Sequence, residues 1–294
     1  MKLVKPSFDI WQQPAGLEGI YKQIERAGRV CYKSEDKITE DSAKLFVDRM
    51  IRSGHGAMLE HGTVYLKFLW DGKICELCNQ ALPHKLLDKY CINKYSIVNY
   101  NGNDAYITTN LRVLVENDWL DDLKYLCEPT EYHERRATVH FVCDRGVSHE
   151  FVRHRTMSFA QESTRYCNYS KDKFGNELTF IIPCWIKDLE EKSYSAHAEY
   201  HHTKEDASKQ WYDVCINSEF VYEDLIRLGW KPQEARAVLP NSLKTELVVT
   251  GFTSDWNHFF DLRARGTTGA PHPQAKELAE PLMKEFITRK YINN

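Results

Sequence analysis

Two different spacings of apolar residues occur along this chain, and their mixture constrains its fold more than any other feature of the sequence. Apolar side chains alternate with other residues over 64–70 and again over 137–143, as in half-buried strands. Residues 43–51 instead carry apolar side chains at helical spacing, and Gly54 follows where a helix would end. Strands and helices that mix without a low-complexity linker predict a single α/β or α+β domain over residues 1–294.

The other elements are predicted from the same spacings and from residues that start or stop a helix. A third strand is predicted at 246–252, and the run NYNGND predicts a loop at 99–104. Helices are predicted at 111–126 and at 189–228, the second with a stop signal at Gly229 to Pro232. A further helix is predicted to start after an N-cap at Ser254, and the last at 274–291, with a break at Pro281.

The composition excludes several classes of function. A formal net charge of -3 argues against a protein that coats nucleic acid, and no apolar run is long enough to span a bilayer. Residues 1–20 contain no basic stretch followed by an apolar run, so we expect a soluble, cytoplasmic protein without a membrane partner. The sequence also lacks both glycine-rich phosphate loops, G-x-G-x-x-G after a strand and G-x-x-x-x-G-K-[ST].

The nine cysteines are an odd count and are expected to be reduced, buried thiols. Cys75 and Cys78 form a C-x-x-C pair, but a zinc site needs a second pair of ligands at matching spacing, which is not evident. Pro183-Cys184 follows an apolar run, which favours a buried thiol at a strand end over a nucleophile. The sequence therefore predicts no metal site.

The most basic segment of the chain runs from Arg153 to Tyr166 and holds three arginines, a histidine and two serines. Arginine forks match phosphate oxygens, so one hypothesis is a site for phosphorylated ligands. Charge alone favours the other hypothesis, a solvated basic helix face. Apolar side chains interleave with the charges, which indicates partial burial and favours the site; these are Phe151, Val152, Met157 and Phe159.

The spacing within this segment resembles a known signature. Arg153-His154-Arg155, seven residues and Ser163 form R-H-R-x7-S, which is similar to the motif of the flavin-dependent thymidylate synthases. Three other blocks of that family find counterparts in the same order. They are Gly54-His55 with Glu60-His61, the block Gln233 to Pro240 (QEARAVLP), and Leu262-Arg263 with His272 downstream.

The resemblance implies an α/β protein with a central sheet and a long helical arm that works as a homotetramer. It further implies that FAD and dUMP meet at subunit interfaces, that methylenetetrahydrofolate supplies the carbon, and that NADPH reduces the flavin. Such an enzyme converts dUMP to dTMP, and the cofactors rather than an enzyme nucleophile perform the chemistry. Ser163 is accordingly expected to form hydrogen bonds only.

The resemblance also implies roles for individual residues. Arg263 is expected beside the N3 and O4 edge of the pyrimidine, where a fixed positive charge makes C5 a better nucleophile. Arg236 is expected to reach dUMP from another subunit. The residues implied to bind the flavin are Arg153, His154, Arg155, Gln161, His258, His55 and Ala57. Those implied to bind dUMP are Glu150, Arg153, Gln161, Glu162, Ser163, Thr164, Arg165, Arg236 and Arg263.

The chain departs from the family pattern in several places. Gln161 stands where some members have Glu, Ala57 where a flavin-contacting Thr can stand, and Phe252 where an Asn is frequent. Residues 265–271 look like an insertion before His272. Residues 71–130 look like a longer insertion, either a subdomain over the folate entrance or a tetramer contact.

Two other functions are compatible with parts of the sequence. The arginine cluster could belong to a regulatory protein that binds nucleotides or RNA, although no motif of aromatic and basic residues accompanies it. Histidines could hold the metal of a hydrolase. His149 and His154 are five residues apart rather than four, however, and His197, His201 and His202 fall in a polar stretch typical of an exposed helix.

Overall fold

A computed structural model describes residues 1–69, 84–194 and 206–293 of the chain. Ten strands are present in these ranges: β1 Lys2–Val4, β2 Ser7–Trp11, β3 Thr63–Phe68, β4 Ile97–Asn101, β5 Asp104–Asn110, β6 Arg136–Asp144, β7 Ser158–Gln161, β8 Thr179–Ile181, β9 Lys192–Ser193 and β10 Lys244–Phe252. The α-helices are α1 Gly16–Tyr32, α2 Ser42–Arg52, α3 Gly56–Leu59, α4 His84–Cys91, α5 Leu111–Glu116, α6 Arg145–Phe151, α7 Ala207–Arg227, α8 Pro232–Ala235, α9 Thr253–Phe260 and α10 Pro273–Thr288.

The largest sheet has four antiparallel strands in the order β2-β6-β10-β7. Its two long strands, β6 and β10, pair over nine residues, so that Val249 lies opposite Val139 and Leu247 lies opposite Phe141. Because side chains alternate along a strand, these four residues share one face of the sheet, while Val248 belongs to the other. The sheet is therefore buried on both faces.

Aromatic side chains from α9 and α10 cover one face of this sheet. Trp256, Phe259, Phe260 and Phe286 are at most 1% exposed, and the rings of Trp256 and Phe286 lie 5.2 Å apart. The indole N–H of Trp256 donates to the carbonyl of Ala137 at 3.1 Å, which satisfies its one polar atom inside the core. Ala27 and Val30 of α1 pack on the other face.

A second sheet, in the order β3-β5-β4, packs with α2 and α5 in a separate apolar cluster. The helix expected over 111–126 is broken here. Helix α5 ends at Glu116, Asp118 takes a left-handed conformation with φ 58°, and residues 120–125 form a 3-10 helix. The break is closed by a hydrogen bond from the N–H of Trp119 to the carbonyl of Leu114 at 2.8 Å.

The third sheet, in the order β8-β1-β9, packs beside α7. The helix expected over 189–228 is therefore wrong at its start, because residues 192–193 pair with β1 instead. Helix α7 begins at Ala207, where the carboxylate of Asp206 accepts a hydrogen bond from the N–H of Lys209 at 2.9 Å and caps the first turn.

The strands expected from alternation are confirmed as β3, β6 and β10, although Trp70 lies outside the described residues. Helix α2 is confirmed as well, with Gly54 after it in a left-handed conformation at φ 68°. Helix α9 begins one residue before Ser254, and Pro281 lies inside α10. Strands β1 and β2 and helix α1 were not predicted from the sequence.

Some of the expectations fall outside the described residues, namely those for Cys75, Cys78, His197, His201 and His202. Within the described ranges, the structure contains no helix of the length and apolarity that crossing a membrane requires. In the same ranges no cluster of His, Cys, Asp or Glu side chains has the arrangement of a metal site.

Trp256→Ala is expected to lower the free energy of unfolding by about 3–5 kcal/mol, because it empties the centre of the aromatic layer and removes the hydrogen bond to Ala137. Trp230→Ala is the matched control, since that ring is 47% exposed and its loss is expected to cost less than about 1 kcal/mol. Equilibrium unfolding in urea measures both, and equal losses would contradict this assignment of the core.

Candidate active site

The R-H-R segment is a turn between α6 and β7 rather than a helix face. Helix α6 starts at a cap in which the carboxylate of Asp144 accepts from the N–H of Val147 at 2.7 Å. After the helix, Phe151 and Met157 are buried and anchor both ends of the turn. Between these anchors the side chains of Arg153 and Arg155 are exposed, whereas His154 is only 7% exposed. The turn thus presents two cations on either side of a buried imidazole.

Arg263 reaches this turn from the other side. It lies in a wider helical turn, residues 261–265, that follows α9 and brings its side chain back toward α6. Its guanidinium donates to the carboxylate of Glu150 at 2.5 Å and to the backbone carbonyl of Glu150 at 2.7 Å. The remaining Nε donates to Nε2 of His154 at 3.2 Å. Three fixed hydrogen bonds therefore hold this half-buried cation in one orientation.

His154 remains neutral in this environment. Burial, together with the neighbouring charges of Arg263 and His258, lowers the pKa of its imidazole to about 4 against the opposing effect of Glu150. Because Nε2 accepts the hydrogen bond from Arg263, the ring proton is placed on Nδ1. His154 also packs against Phe259 with ring centroids 5.0 Å apart, so its position depends on the aromatic layer below.

These side chains line an open groove of about 660 Å³. The residues that the sequence predicted and that the groove brings together are Glu150, Arg153, His154, Arg155, His258, Arg263 and His272. A second groove of about 420 Å³ shares Glu150 and His272 with it and adds the rings of Trp185 and Trp211. The second groove therefore adjoins the first at Glu150 and His272 and carries aromatic rather than cationic side chains.

The remaining predicted residues form a different group, which does not line the groove. Gln161 donates to the hydroxyls of Ser148 at 2.9 Å and Thr245 at 3.2 Å. The exposed Arg236 donates to the hydroxyl of Thr164 at 3.2 Å, and the exposed Arg165 contacts the amide of Gln233 at 3.4 Å. The two arginines thus flank the turn that follows β7.

Ser163 lies in this second group and lacks the partners of a nucleophile. Its hydroxyl accepts from the N–H of Arg165 at 3.3 Å, and its own N–H donates to the carbonyl of Cys31 at 3.0 Å. Among the residues that the structure describes, no histidine forms a hydrogen bond with the Ser163 hydroxyl. A nucleophilic serine needs such a base, so this environment suits a hydrogen-bonding role.

Glu162 turns its carboxylate away from solvent. It accepts from the hydroxyl of Tyr169 and from Nζ of Lys244, both at 2.9 Å, and its side chain is only 1% exposed. Lys244 also binds Glu246, whose carboxylate accepts from Lys33 at 2.8 Å and from Nε2 of His140 at 2.9 Å. These partners were not predicted from the sequence, because no motif connects residues so far apart in the chain.

Glu246 and Lys33 stay ionised in the charge network below the second group. Burial opposes the charge on Glu246, but the hydrogen bond from His140 and the charges of Lys244 and Lys33 hold its pKa well below the usual range. Burial likewise works against Lys33, whose pKa is nevertheless raised by Glu246. Two cations and two carboxylates therefore fix the end of β7, from which the turn at Ser163 starts.

His55 and Ala57 are exposed at the start of α3 and line neither groove. The neighbouring Glu60 forms an ion pair with Arg112, and the fully buried His61 shares a hydrogen bond with the hydroxyl of Thr250 at 2.8 Å. Within a single chain, this block is thus separate from the groove that holds Arg263.

His154→Gln is expected to change how stability depends on pH. The folded-state pKa of His154 lies below the ordinary value of 6.5, so the unfolded chain binds a proton first as the pH falls. The free energy of unfolding therefore decreases as the pH falls from about 6.5 to about 4. The His154→Gln variant is expected to lack the part of this decrease that comes from His154. Unfolding midpoints across this range measure it.

His55→Gln serves as the matched control for this change, since His55 is exposed. We expect its stability to follow the wild-type pH dependence. A His154→Gln variant with the same pH dependence as the control would show that His154 does not stay neutral in the folded state.

Comparison with known proteins identifies the group to which these blocks belong. A family model described as thymidylate synthase complementing protein matches residues 128–289, which is more than half of the chain. A flavin-dependent thymidylate synthase of Pyrococcus furiosus is 31% identical over 150 residues, which are 51% of this chain and 53% of that protein. One from Corynebacterium aurimucosum is 23% identical over 291 residues, 93% of this chain and 78% of that protein.

The match to the archaeal relatives spans about half of their length. Among solved structures, a UMP/dUMP methylase PolB from Streptomyces cacaoi is similar at a TM-score of 0.44 and 15% identity, over 98% of this chain and 92% of that one. The matched residues 128–289 include the R-H-R turn, Ser163, Arg236 and Arg263. The chain therefore belongs to the thymidylate synthase complementing protein family, the family of the flavin-dependent thymidylate synthases.

Proposed function

We propose that this protein is an FAD-dependent enzyme that reductively methylates dUMP to dTMP, with methylenetetrahydrofolate as carbon donor and NADPH as reductant. The observation that carries the proposal is the fixed cation of Arg263, which Glu150 and His154 hold at the edge of a groove. An enzyme whose cofactors perform the chemistry needs a protein that positions planar ligands and places charge around them. An open groove with a fixed cation at its edge supports both roles.

The residues of the groove fit a flavin. The space of about 660 Å³ is open along one side, and Arg153 and Arg155 extend from its rim as exposed cations that suit phosphate groups. His154 and His258 lie within it with ring centroids 5.9 Å apart, and the neutral His154 adds no charge beneath a planar ring. A bound flavin would supply the hydride for the reduction. The chain's own groups would hold it and exclude water.

Arg263 would act on the pyrimidine. A guanidinium beside N3 and O4 stabilises negative charge on that edge of the ring, and the electron-rich ring that results is a better nucleophile at C5. The effect requires a cation that stays in place while charge develops. The bonds from Arg263 to Glu150 and His154 provide that fixed position, and the neutral His154 adds no second positive charge at this contact.

The phosphate of dUMP would bind to the second group of residues, in another copy of the chain. Arg165 and Arg236 flank the turn after β7, and their two exposed guanidinium groups suit a dianion. These residues do not line the groove of Arg263 in the same chain. We infer that a homotetramer brings the groove of one subunit against the Ser163 turn of its neighbour.

Arg263→Ala is expected to leave FAD bound but to lower the rate of dTMP formation by about 10²-fold or more, the usual effect of losing a donor that acts in the transition state. Flavin absorbance of the purified protein, its bleaching by NADPH and the conversion of dUMP to dTMP measure the two effects separately. Wild-type protein is expected to be yellow and active.

Arg265→Ala is the matched control, because Arg265 lies on the same turn but pairs with Asp261 and Asn257 at the surface. Its rate is expected to stay near the wild-type value. Full turnover by Arg263→Ala would refute the role of Arg263, and a wild-type protein that never takes up flavin would refute the proposed function as a whole.

A further inference from the structure

A cavity of about 110 Å³ lies apart from both grooves of the candidate active site. Its walls come from the end of β2 and the start of α1, from residues 126–129, and from the first residues of β6. The cavity and the groove of Arg263 share no lining residue. Residues 136–138 at the start of β6 line the cavity, whereas the groove is lined by Glu150 and residues later in the chain.

The N-terminus of helix α1 opens into this cavity. Pro14, Ala15 and Gly16 form part of its wall, and the helix that starts there has 17 residues. Ala15 stands at the N-cap and offers no side-chain acceptor, so the first N–H groups lack the usual cap. The one carboxylate of the first turn, Glu18, pairs with Lys22 instead. This helix end therefore carries uncompensated positive potential.

Arg136 brings a guanidinium to the same cavity with few partners. Its Nη1 donates to the carbonyl of Glu60 at 3.1 Å and to the hydroxyl of Thr63 at 3.2 Å. Its Nε is buried and has no acceptor. In the parts of the chain that the structure describes, no carboxylate forms an ion pair with it, and burial lowers the pKa of Arg136 to about 10. A largely buried guanidinium that no carboxylate contacts directly is costly, although Glu60 and Asp255 act on it at longer range.

A second arginine completes the wall. Arg135 precedes Arg136, lines the cavity, and stacks on the ring of Tyr291 with 4.7 Å between guanidinium carbon and ring centroid. Glu128 is the only carboxylate among the lining residues, and it is exposed. Two arginines and an uncapped helix end thus face one small space in which cationic and N–H donors outnumber anionic acceptors.

We propose that this cavity is an anion site that binds one phosphate group, either as inorganic phosphate or as the phosphate of a small ester. Tetrahedral oxyanions suit both arginine forks and the N–H groups of a helix terminus. The volume matches one such group, since it corresponds to a few water molecules at about 30 Å³ each. The site does not depend on the proposed reaction, because it shares no residue with the groove.

The experiment is a calorimetric titration of the whole protein with inorganic phosphate and, separately, with ribose 5-phosphate, at constant ionic strength. Arg135→Gln removes one fork, and Ala15→Asp places a competing carboxylate at the helix cap. We expect each change to weaken binding about tenfold or more, as the loss of a charge-assisted contact does. The ligand that binds wild type more tightly identifies the source of the phosphate group.

Two controls distinguish this site from others. Arg52→Gln changes an exposed arginine elsewhere, and Arg236→Ala changes the proposed dUMP phosphate contact; both are expected to keep binding at the cavity. Arg136→Gln is expected to abolish binding in a folded variant, and Arg135→Gln and Ala15→Asp test the same site without changing this largely buried residue. Absence of phosphate binding, unchanged binding in both Arg135→Gln and Ala15→Asp, or loss of binding in Arg236→Ala alone would overturn the proposal.

Discussion

The hydrogen bonds of Arg263 to Glu150 and His154 are the interaction on which the candidate site depends. They join the end of α6 to the turn after α9, two segments that are 113 residues apart in the sequence. A buried ion pair adds little net stability, because desolvation offsets the attraction. Its consequence here is geometric, since it fixes where a permanent positive charge lies. The aromatic layer beneath holds the two segments in place, because the rings of Phe151 and Phe259 pack with their centroids 4.9 Å apart.

The long pair of strands β6 and β10 relates the two groups of site residues. The end of β6 leads into α6 and the groove, while β10 begins with Lys244 and Glu246, which hold the end of β7 through Glu162. One sheet thus supports both the groove of Arg263 and the Ser163 turn, whose residues do not line that groove in the same chain. This separation is the observation behind the proposal that two copies complete one site.

The sequence predicted the elements whose signal is local. Alternation identified β3, β6 and β10, and helical spacing with Gly54 identified α2. The short strands β1 and β2 were not predicted, because strands far along the chain define them. Leu3 pairs with Phe180, and Ile10 pairs with Val139. The same cause misplaced the start of α7, since pairing with β1 makes residues 192–193 a strand.

The site shows the same limit. Motif spacing pointed to Arg153, Ser163, Arg236 and Arg263 as individual residues. It carried no information on which of them share a groove, because that depends on how α9 ends and where α6 begins. The network of Lys33, Lys244 and Glu246 has no local signature in the sequence, because only the folded arrangement of the strands brings these residues together.

A mixing experiment tests most directly whether two copies complete one site. Arg263→Ala and Arg236→Ala are each expected to lose most of the activity, because each variant lacks one half of every site. Co-expressed, they should form mixed oligomers in which about a quarter of the sites combine an intact Arg263 from one chain with an intact Arg236 from another. Recovery of dTMP formation to that fraction of the wild-type rate is the predicted result. Mixed oligomers that remain as inactive as either variant alone would contradict the account.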